Sequence, residues 1–170
     1  MIEKVRVSIG PDDTFGQLED ALCEAGKKAL VQVIGAFAQG EPSRESQDHT
    51  QATFAPKIEL EDCCIDWTRP AEELHNLIRG VNPAPGAWCY LSVKGEKKRL
   101  KISQARIIAK FSDEPGTLLN ARCSEGNLLI AAGPHALELL EVQLEGKKRM
   151  SSEELARGVP RAHLNFRLMT

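Results

Sequence analysis

The strongest constraint on the fold is a series of short apolar or alternating segments in the second half of the chain, each followed by a turn signal. These segments are residues 87–93, 99–108, 117–122, 128–132 and 136–144. Turns are predicted between them at Gly95, Pro115-Gly116, Glu125-Gly126 and Gly133-Pro134, since Gly and Pro interrupt regular structure. About five closely spaced strands favour a small, mostly antiparallel β-barrel. An open sheet packed on a preceding helix is the alternative.

A helix is predicted immediately before these strands. Thr68 is a suitable N-cap residue, Pro70 is accepted in the first turn, and the apolar side would consist of Leu74, Leu77 and Ile78. The segment Asn82-Pro83-Ala84-Pro85-Gly86 then ends regular structure, because both prolines lack an N–H donor and restrict φ. The sequence therefore predicts an α+β fold in this half of the chain.

A last short helix is predicted after the strands. Ser151 and Glu154 have the spacing of a capping box, and Met150 and Leu155 occupy the positions of a hydrophobic staple. Gly158 suits the left-handed site at a helix C-terminus.

The first forty residues have a different character. Residues 5–9 alternate like a short strand, and Thr14 with Gln17 fits a capping box that opens a helix. Gly26 is predicted to divide this region into two helices, the second ending at Gly40. Residues 41–53 are polar and resemble an exposed linker. The strand would lack partners, which favours a Met1 that lies inside a longer protein.

The composition is that of a soluble protein, with 42% hydrophobic and 27% charged residues. No apolar run approaches the roughly eighteen residues of a membrane span, and the N-terminus lacks the apolar core of a signal peptide. We therefore expect a cytoplasmic protein. The five cysteines lack a Cys-x-x-Cys pair and are expected to be free thiols. Neighbouring Cys63 and Cys64 are expected to divide between core and surface, because vicinal side chains point to opposite sides of an extended chain.

No motif of catalysis or metal binding is found. The sequence has no Gly-x-Ser-x-Gly elbow, phosphate-binding loop or His-Glu-x-x-His pair. His75 lies on the predicted helix and is interpreted as a partly buried structural residue. We therefore assign no catalytic residue and no metal ligand.

Positive charge is locally concentrated although the formal net charge is −2. One cluster, predicted at a hairpin tip, contains Lys97, Lys98, Arg99 and Lys101; another contains Lys147, Lys148 and Arg149. The second precedes a helix N-terminus, where cations are unfavourable to the helix dipole. Both clusters could contact phosphates, and ordinary solvated turns are the alternative. Trp67 and Trp88 are interpreted as core residues, so no platform for base stacking is predicted.

Four stretches of the chain resemble the methionyl-tRNA formyltransferase family. They are IDWTRPAEELHNLIRGVNPAPGAW (65–88), LEVQLEGKKRMS (140–151), IGPDDT (9–14) and ATFAPKI (52–58). The resemblance implies that residues 1–40 end a Rossmann-like catalytic domain, 41–57 form a linker, and 58–170 form a tRNA-binding C-terminal domain. That domain would resemble a barrel of the oligonucleotide/oligosaccharide-binding type.

The resemblance also implies a function. The family transfers formyl from 10-formyltetrahydrofolate to initiator methionyl-tRNA. Its catalytic Asn, His and Asp lie earlier in its sequence, and no residue here matches them. The chain by itself is therefore expected to be inactive, with the N-terminal catalytic domain as its partner.

The implied tRNA contacts are Lys57, which matches a linker lysine, and Lys147, Lys148 and Arg149, which match a basic turn. The cluster from Lys97 to Lys101 is added from charge alone.

Two alternative functions remain. One is the equivalent domain of a related formyl enzyme that acts on a nucleotide sugar or hydrolyses formyltetrahydrofolate. The other is a purely structural domain.

Overall fold

The computed structural model describes residues 1–109, 113–119, 126–159 and 163–166. The chain divides into two compact units, Met1–Lys57 and Ile58–Thr170. The first unit is built around one long helix, α1 (Phe15–Gln39), which opens with the predicted capping box between Thr14 and Gln17. All α1 residues are described, and none of them is buried.

Two predictions for the first unit are wrong. Residues 5–9 form no strand, which agrees with the absence of a neighbouring strand in this unit. Gly26 does not divide the helix, because a glycine costs only about 1 kcal/mol relative to alanine and does not remove a backbone hydrogen bond. The assignment of residues 1–40 to the end of a catalytic domain stays a prediction.

The second unit contains a curled antiparallel sheet. Its strands are β1 (Ala87–Val93), β2 (Glu96–Ile108), β3 (Leu128–Ala132), β4 (His135–Leu144), β5 (Met150–Ser151) and β6 (Leu164–Asn165). The order across the sheet is β3-β4-β2-β1-β6, and β5 pairs with β4. The pairing of β2 with β4 shifts register between Ile102 and Ala105. A bulge of this kind bends a strand and increases its twist. The predicted α+β class with a mostly antiparallel sheet is confirmed, in the form of a half-barrel.

The predicted strand 117–122 is represented by a single bridge between Leu118 and Ile130. Residues 120–122 lie outside the described residues, as does Glu125 of the predicted Glu125-Gly126 turn.

The hairpin between β1 and β2 is tighter than predicted. Val93 pairs with Glu96, so the turn consists only of Lys94 and Gly95. Both residues have positive φ, 53° and 86°, the combination that suits a two-residue hairpin turn. The basic residues from Lys97 onward therefore lie within β2 and not at the hairpin tip.

Helix α2 (Ala71–Gly80) covers one side of the sheet, and Leu74 and Ile78 are buried. Thr68 is not its N-cap: the helix starts after Pro70, and the Thr68 hydroxyl donates to Asp66 Oδ1 at 2.7 Å. An Asp–Thr turn therefore leads the chain into the helix.

Helix α3 (Ser152–Gly158) begins with the predicted capping box of Ser151 and Glu154. Its C-terminus differs from prediction. Gly158 remains helical, because the N–H of Val159 continues the helical pattern by donating to the Leu155 carbonyl at 3.0 Å. The buried Ser152 hydroxyl donates to the Leu139 carbonyl and accepts from the Leu128 N–H, which attaches this helix to β3 and β4.

The core lies between α2 and the inner side of the sheet. It includes Ala87, Cys89, Leu91 and Val93 from β1, Leu100 and Ile102 from β2, and Leu137, Leu139, Val142 and Leu144 from β4. Trp67 is buried as predicted and meets Phe166 edge to face, with ring centroids 6.1 Å apart. Within the described ranges, no helix combines the length and apolar character that a membrane crossing needs.

Replacing Leu100 by Ala tests the position of this core. Leu100 is 0% exposed and is the register partner of Leu144, so the substitution leaves a cavity and should lower the free energy of unfolding by about 2–5 kcal/mol. Urea unfolding followed by tryptophan fluorescence measures the change. The matched control is Leu60→Ala, which removes the same atoms at an exposed position and should change it by less than about 1 kcal/mol. Equal effects of the two substitutions would contradict this core.

Candidate functional site

The pairing of β1 with β2 places aromatic and basic residues together on one side of the sheet. Trp88 lies opposite Lys101, Tyr90 opposite Arg99, and Ser92 opposite Lys97. Between them on β1, Ala87, Cys89, Leu91 and Val93 are buried, as are Leu100 and Ile102 on β2, because side chains alternate along a strand. The outer face is defined here as Trp88, Tyr90, Lys97, Arg99, Lys101 and, from β4, Gln143.

Two cations of the outer face lie over aromatic rings. Lys97 Nζ is 4.2 Å from the centroid of Tyr90, and Arg99 Cζ is 5.5 Å from the ring of Trp88. Both distances fall within the roughly 6 Å at which a cation is attracted to the face of a ring. The two rings also contact each other edge to face, with centroids 5.2 Å apart. The face is therefore an ordered array of rings and cations.

Lys101 is the next cation along β2 after Lys97 and Arg99, and it lies beside residues 82–86, which are called the proline-containing turn. Its Nζ donates to the Pro85 carbonyl at 3.2 Å, and its register partner on β4 is Gln143. A shallow cleft of about 200 Å³ opens here. It is lined by Arg99, Lys101, Gln143, Leu144, Glu145 and Gly146. Its two cations, Arg99 and Lys101, suit an anionic ligand group.

The second basic cluster lies in the turn between β4 and β5. Lys147 and Lys148 are exposed, and the Lys147 carbonyl accepts from Gln143 Nε2 at 2.9 Å. The basic turn, defined as Gly146 to Arg149, is thus attached to a residue of the outer face. Gly146 has φ 75°, a conformation that glycine adopts without strain.

Arg149 is held more firmly than the two lysines before it. Its Nε lies 2.8 Å from Glu141 Oε2, and its Nη2 donates to Asn82 Oδ1 at 3.4 Å. The Asn82 side chain also donates to the Ser103 carbonyl at 2.8 Å, beside the irregularity in β2. Arg149 therefore links the basic turn to the proline-containing turn.

One predicted basic residue of the second unit lies away from the outer face, and one predicted residue belongs to the first unit. Lys98 alternates away from it and pairs with Glu96 at 3.1 Å. Lys57 is exposed and belongs to the first unit. The remaining six predicted residues lie on the outer face or in the basic turn. Whether any of them contacts RNA stays a prediction.

The aromatic members of the outer face were missed at the sequence level. Trp88 was interpreted as a core residue; it is half-buried and packs in part against the core, while its Nε1 donates to the Leu60 carbonyl at 2.9 Å. Tyr90 is 40% exposed. The available signal was the alternation of β1, in which Ala87, Cys89, Leu91 and Val93 take the inward positions and leave Trp88 and Tyr90 outside.

The described residues contain no group of His, Cys, Asp or Glu that could hold a metal ion. Cys63 is buried and Cys64 exposed, which confirms their expected division, and the described cysteines are free thiols; Cys123 lies outside the described residues. Burial raises the pKa of the Cys63 and Cys89 thiols, which disfavours their thiolate form at neutral pH. His75 is half-buried and has an interaction partner, as expected for a structural residue.

Comparison with known proteins identifies relatives of the whole chain. The model of the family "Formyl transferase, C-terminal domain" matches residues 57–160. A methionyl-tRNA formyltransferase of Protochlamydia amoebophila is 58% identical over 166 residues, covering 98% of this chain and 52% of that protein. A methionyl-tRNA formyltransferase of Chelativorans sp. is 40% identical over 153 residues, covering 90% and 47%. The chain spans about half the length of the curated relatives it matches.

Among solved structures, a variant of HypX from Aquifex aeolicus superimposes with a TM-score of 0.64 at 15% identity, covering 90% of this chain and 28% of that one. Another HypX structure, in complex with tetrahydrofolic acid, has a TM-score of 0.56 at 17% identity, covering 76% and 22%. At these identities the likeness concerns the fold.

The contact between Lys97 and Tyr90 can be tested in solution. A side chain held above an aromatic ring lies in its shielding region, so the ε-methylene protons of Lys97 should resonate upfield of those of Lys148, whose side chain is exposed. Tyr90→Leu should remove this shift and leave Lys148 unchanged, and ¹H–¹³C NMR spectra measure both. A Lys97 signal already at the position of Lys148 in the unsubstituted chain would contradict the contact.

Proposed function

Because the chain belongs to the formyl transferase C-terminal domain family, we propose that it is the tRNA-binding part of a methionyl-tRNA formyltransferase. The complete enzyme transfers formyl from 10-formyltetrahydrofolate to initiator methionyl-tRNA. In this proposal the chain contributes affinity and orientation, and the chemistry takes place in the remainder of the enzyme.

The observation that carries the proposal is the arrangement of cations on the second unit. Three cations line one side of β2 at alternate positions, and the basic turn is hydrogen-bonded to the neighbouring Gln143. Phosphate contacts of this kind fix the position and orientation of a nucleic acid without reading its sequence. Lys57, exposed at the end of the first unit, is proposed as a further contact.

The acidic side chains near this surface are largely engaged with the protein itself. Glu96 pairs with Lys98, Glu141 pairs with Arg149, and the Glu145 carboxylate accepts from the Arg99 backbone N–H at 3.1 Å. A local excess of lysine and arginine can attract a polyanion even when the whole chain carries a small negative charge.

The first unit supports the proposed partnership with a catalytic domain. Helix α1 exposes Phe15, Leu22, Leu30, Val31, Ile34 and Phe37. At the spacing of a helix all of them except Val31 lie on one side, and such an apolar surface is typical of a protein interface. We propose that this side packs against the rest of the formyltransferase domain in the complete enzyme.

Binding of the chain to tRNA should be direct and salt-sensitive. Each phosphate that a lysine or arginine neutralises contributes about −0.7 to −0.9 to the slope of log K against log salt. Replacing both Lys147 and Lys148 by Glu should weaken binding and make this slope shallower. Fluorescence anisotropy with labelled initiator tRNA, measured over a series of salt concentrations, gives affinity and slope together.

The matched control for this experiment is the double substitution Lys27→Glu and Lys28→Glu. It changes the net charge equally, but on α1 in the first unit. If both pairs weaken binding equally, net charge and not the basic turn is responsible. Absence of tRNA binding at low salt, with binding of a nucleotide sugar instead, would favour a related formyl enzyme. No effect of the Lys147 and Lys148 substitutions on the kinetics of the complete enzyme would favour a structural domain.

The chain alone should transfer no formyl group. Incubation with 10-formyltetrahydrofolate and methionyl-tRNA should give no formylmethionyl-tRNA above the rate without protein, because no residue of the chain matches the family's catalytic Asn, His and Asp. The complete enzyme serves as the positive control. Measurable turnover by the 170-residue chain would overturn the division of labour proposed here.

A further inference from the structure

We infer that Tyr90 and Trp88 are positioning residues for RNA binding: their rings hold Lys97 and Arg99 in place for contact with backbone phosphates. This inference rests on the proposed function, since it concerns how the same surface would bind RNA. It adds two uncharged residues to a site that charge alone had defined.

The two rings are themselves fixed by the fold. Trp88 donates from Nε1 to the Leu60 carbonyl, and its ring meets Tyr90 edge to face at an interplanar angle of 78°. The backbone beneath is the regular pairing of β1 with β2. The hydrogen bond and the ring contact therefore orient the two aromatic surfaces that Lys97 and Arg99 approach.

The two aromatic rings restrict the conformations of the Lys97 and Arg99 side chains. Lysine and arginine side chains have many rotamers, and they lose this freedom when they bind a partner. Lys97, 4.2 Å above the Tyr90 centroid, and Arg99, beside Trp88, are already restricted before RNA arrives. The backbone of Arg99 is fixed too, because its carbonyl accepts from the Glu145 N–H at 2.9 Å. Less conformational entropy then remains to be lost on binding.

The geometry favours phosphate as the ligand group over an unpaired base. In the structure the ring faces that a base would stack on are approached by Lys97 and Arg99, so a base would have to displace them. Lys97, Arg99 and Lys101 instead form a row, with successive members about 6.8 Å apart along the strand. Lys101 is held in its turn by the Pro85 carbonyl. Such a row suits a phosphodiester backbone that runs parallel to β2.

A double-mutant cycle separates positioning from direct contact. In the full chain, Tyr90→Leu should weaken binding of initiator tRNA by about two- to fivefold at low salt, as expected for loss of an exposed cation–π contact. Lys97→Gln should weaken it at least as much. In the Lys97→Gln background, Tyr90→Leu should have no further effect, because the ring would act only through the cation. Tyr90→Phe keeps the ring face and should bind like the unsubstituted chain.

The salt dependence of tRNA binding provides a second test of the inference. Lys97→Gln removes a cation and should reduce the slope of log K against log salt by about 0.7 to 0.9. Tyr90→Leu leaves the cation in place and should lower affinity with a smaller change of slope. A purely structural role of Tyr90 would appear as a lower thermal midpoint. In that case the double-mutant cycle is repeated with Tyr90→Thr. Threonine lacks the aromatic ring, and as a β-branched residue it suits an exposed strand position.

Three results would overturn the inference. An equal loss from Tyr90→Leu in both backgrounds would mean that the ring contacts the RNA directly, by stacking on a base. Unchanged affinity of both Tyr90→Leu and Tyr90→Thr would mean that the ring has no role in binding. Loss of binding by Tyr90→Phe as well would assign the effect to the hydroxyl. If the unsubstituted chain binds no tRNA, the proposed function fails with it, so the two failures can be distinguished.

Discussion

Alternation of side chains in the β1–β2 hairpin is the constraint on which the rest of the second unit depends. Ala87, Cys89, Leu91 and Val93 must point into the core, because they supply β1's share of it. The pleat then sends Trp88 and Tyr90 to the opposite side. The two-residue turn at Lys94 and Gly95 sets the register, and with it the pairing of each ring with a basic residue of β2. Shifting this register by one residue would expose the core side chains and bury cations. The register therefore determines both which side chains form the core and which cations are exposed.

The turns around the sheet extend this arrangement. Asn82 is central, because its side chain donates to the Ser103 carbonyl and accepts from Arg149. A single amide thus connects the proline-containing turn, the irregular part of β2 and the basic turn. Lys101 makes a similar connection through the Pro85 carbonyl. Several of the cations that could meet a polyanion are consequently attached to the backbone or to rings, which limits their freedom before any partner binds.

Burial raises the pKa of Cys63 and Cys89, and the described residues hold no cluster that could bind a metal ion. In the division of labour proposed above, the second unit engages the tRNA while another part of the enzyme holds the formyl donor. A tethered second site can raise affinity without taking part in the reaction, because the linker keeps the two sites near each other.

The sequence by itself determined the succession of elements wherever local rules apply. The strand at 87–93, the breaks at Gly95 and Gly133, and the capping box of Ser151 with Glu154 are properties of neighbouring residues, and the structure confirms them. The sequence also showed where positive charge is concentrated, and the resemblance of residues 65–88 indicated the family.

Prediction failed where the outcome depends on distant partners. Residues 5–9 alternate like a strand but lack a neighbour, and Thr68 bonds to Asp66 instead of capping α2. Only the tertiary structure decided that Trp88 and Tyr90 lie beneath Arg99 and Lys97, because that depends on the register between two strands, whereas charge and hydrophobicity are counted along one chain.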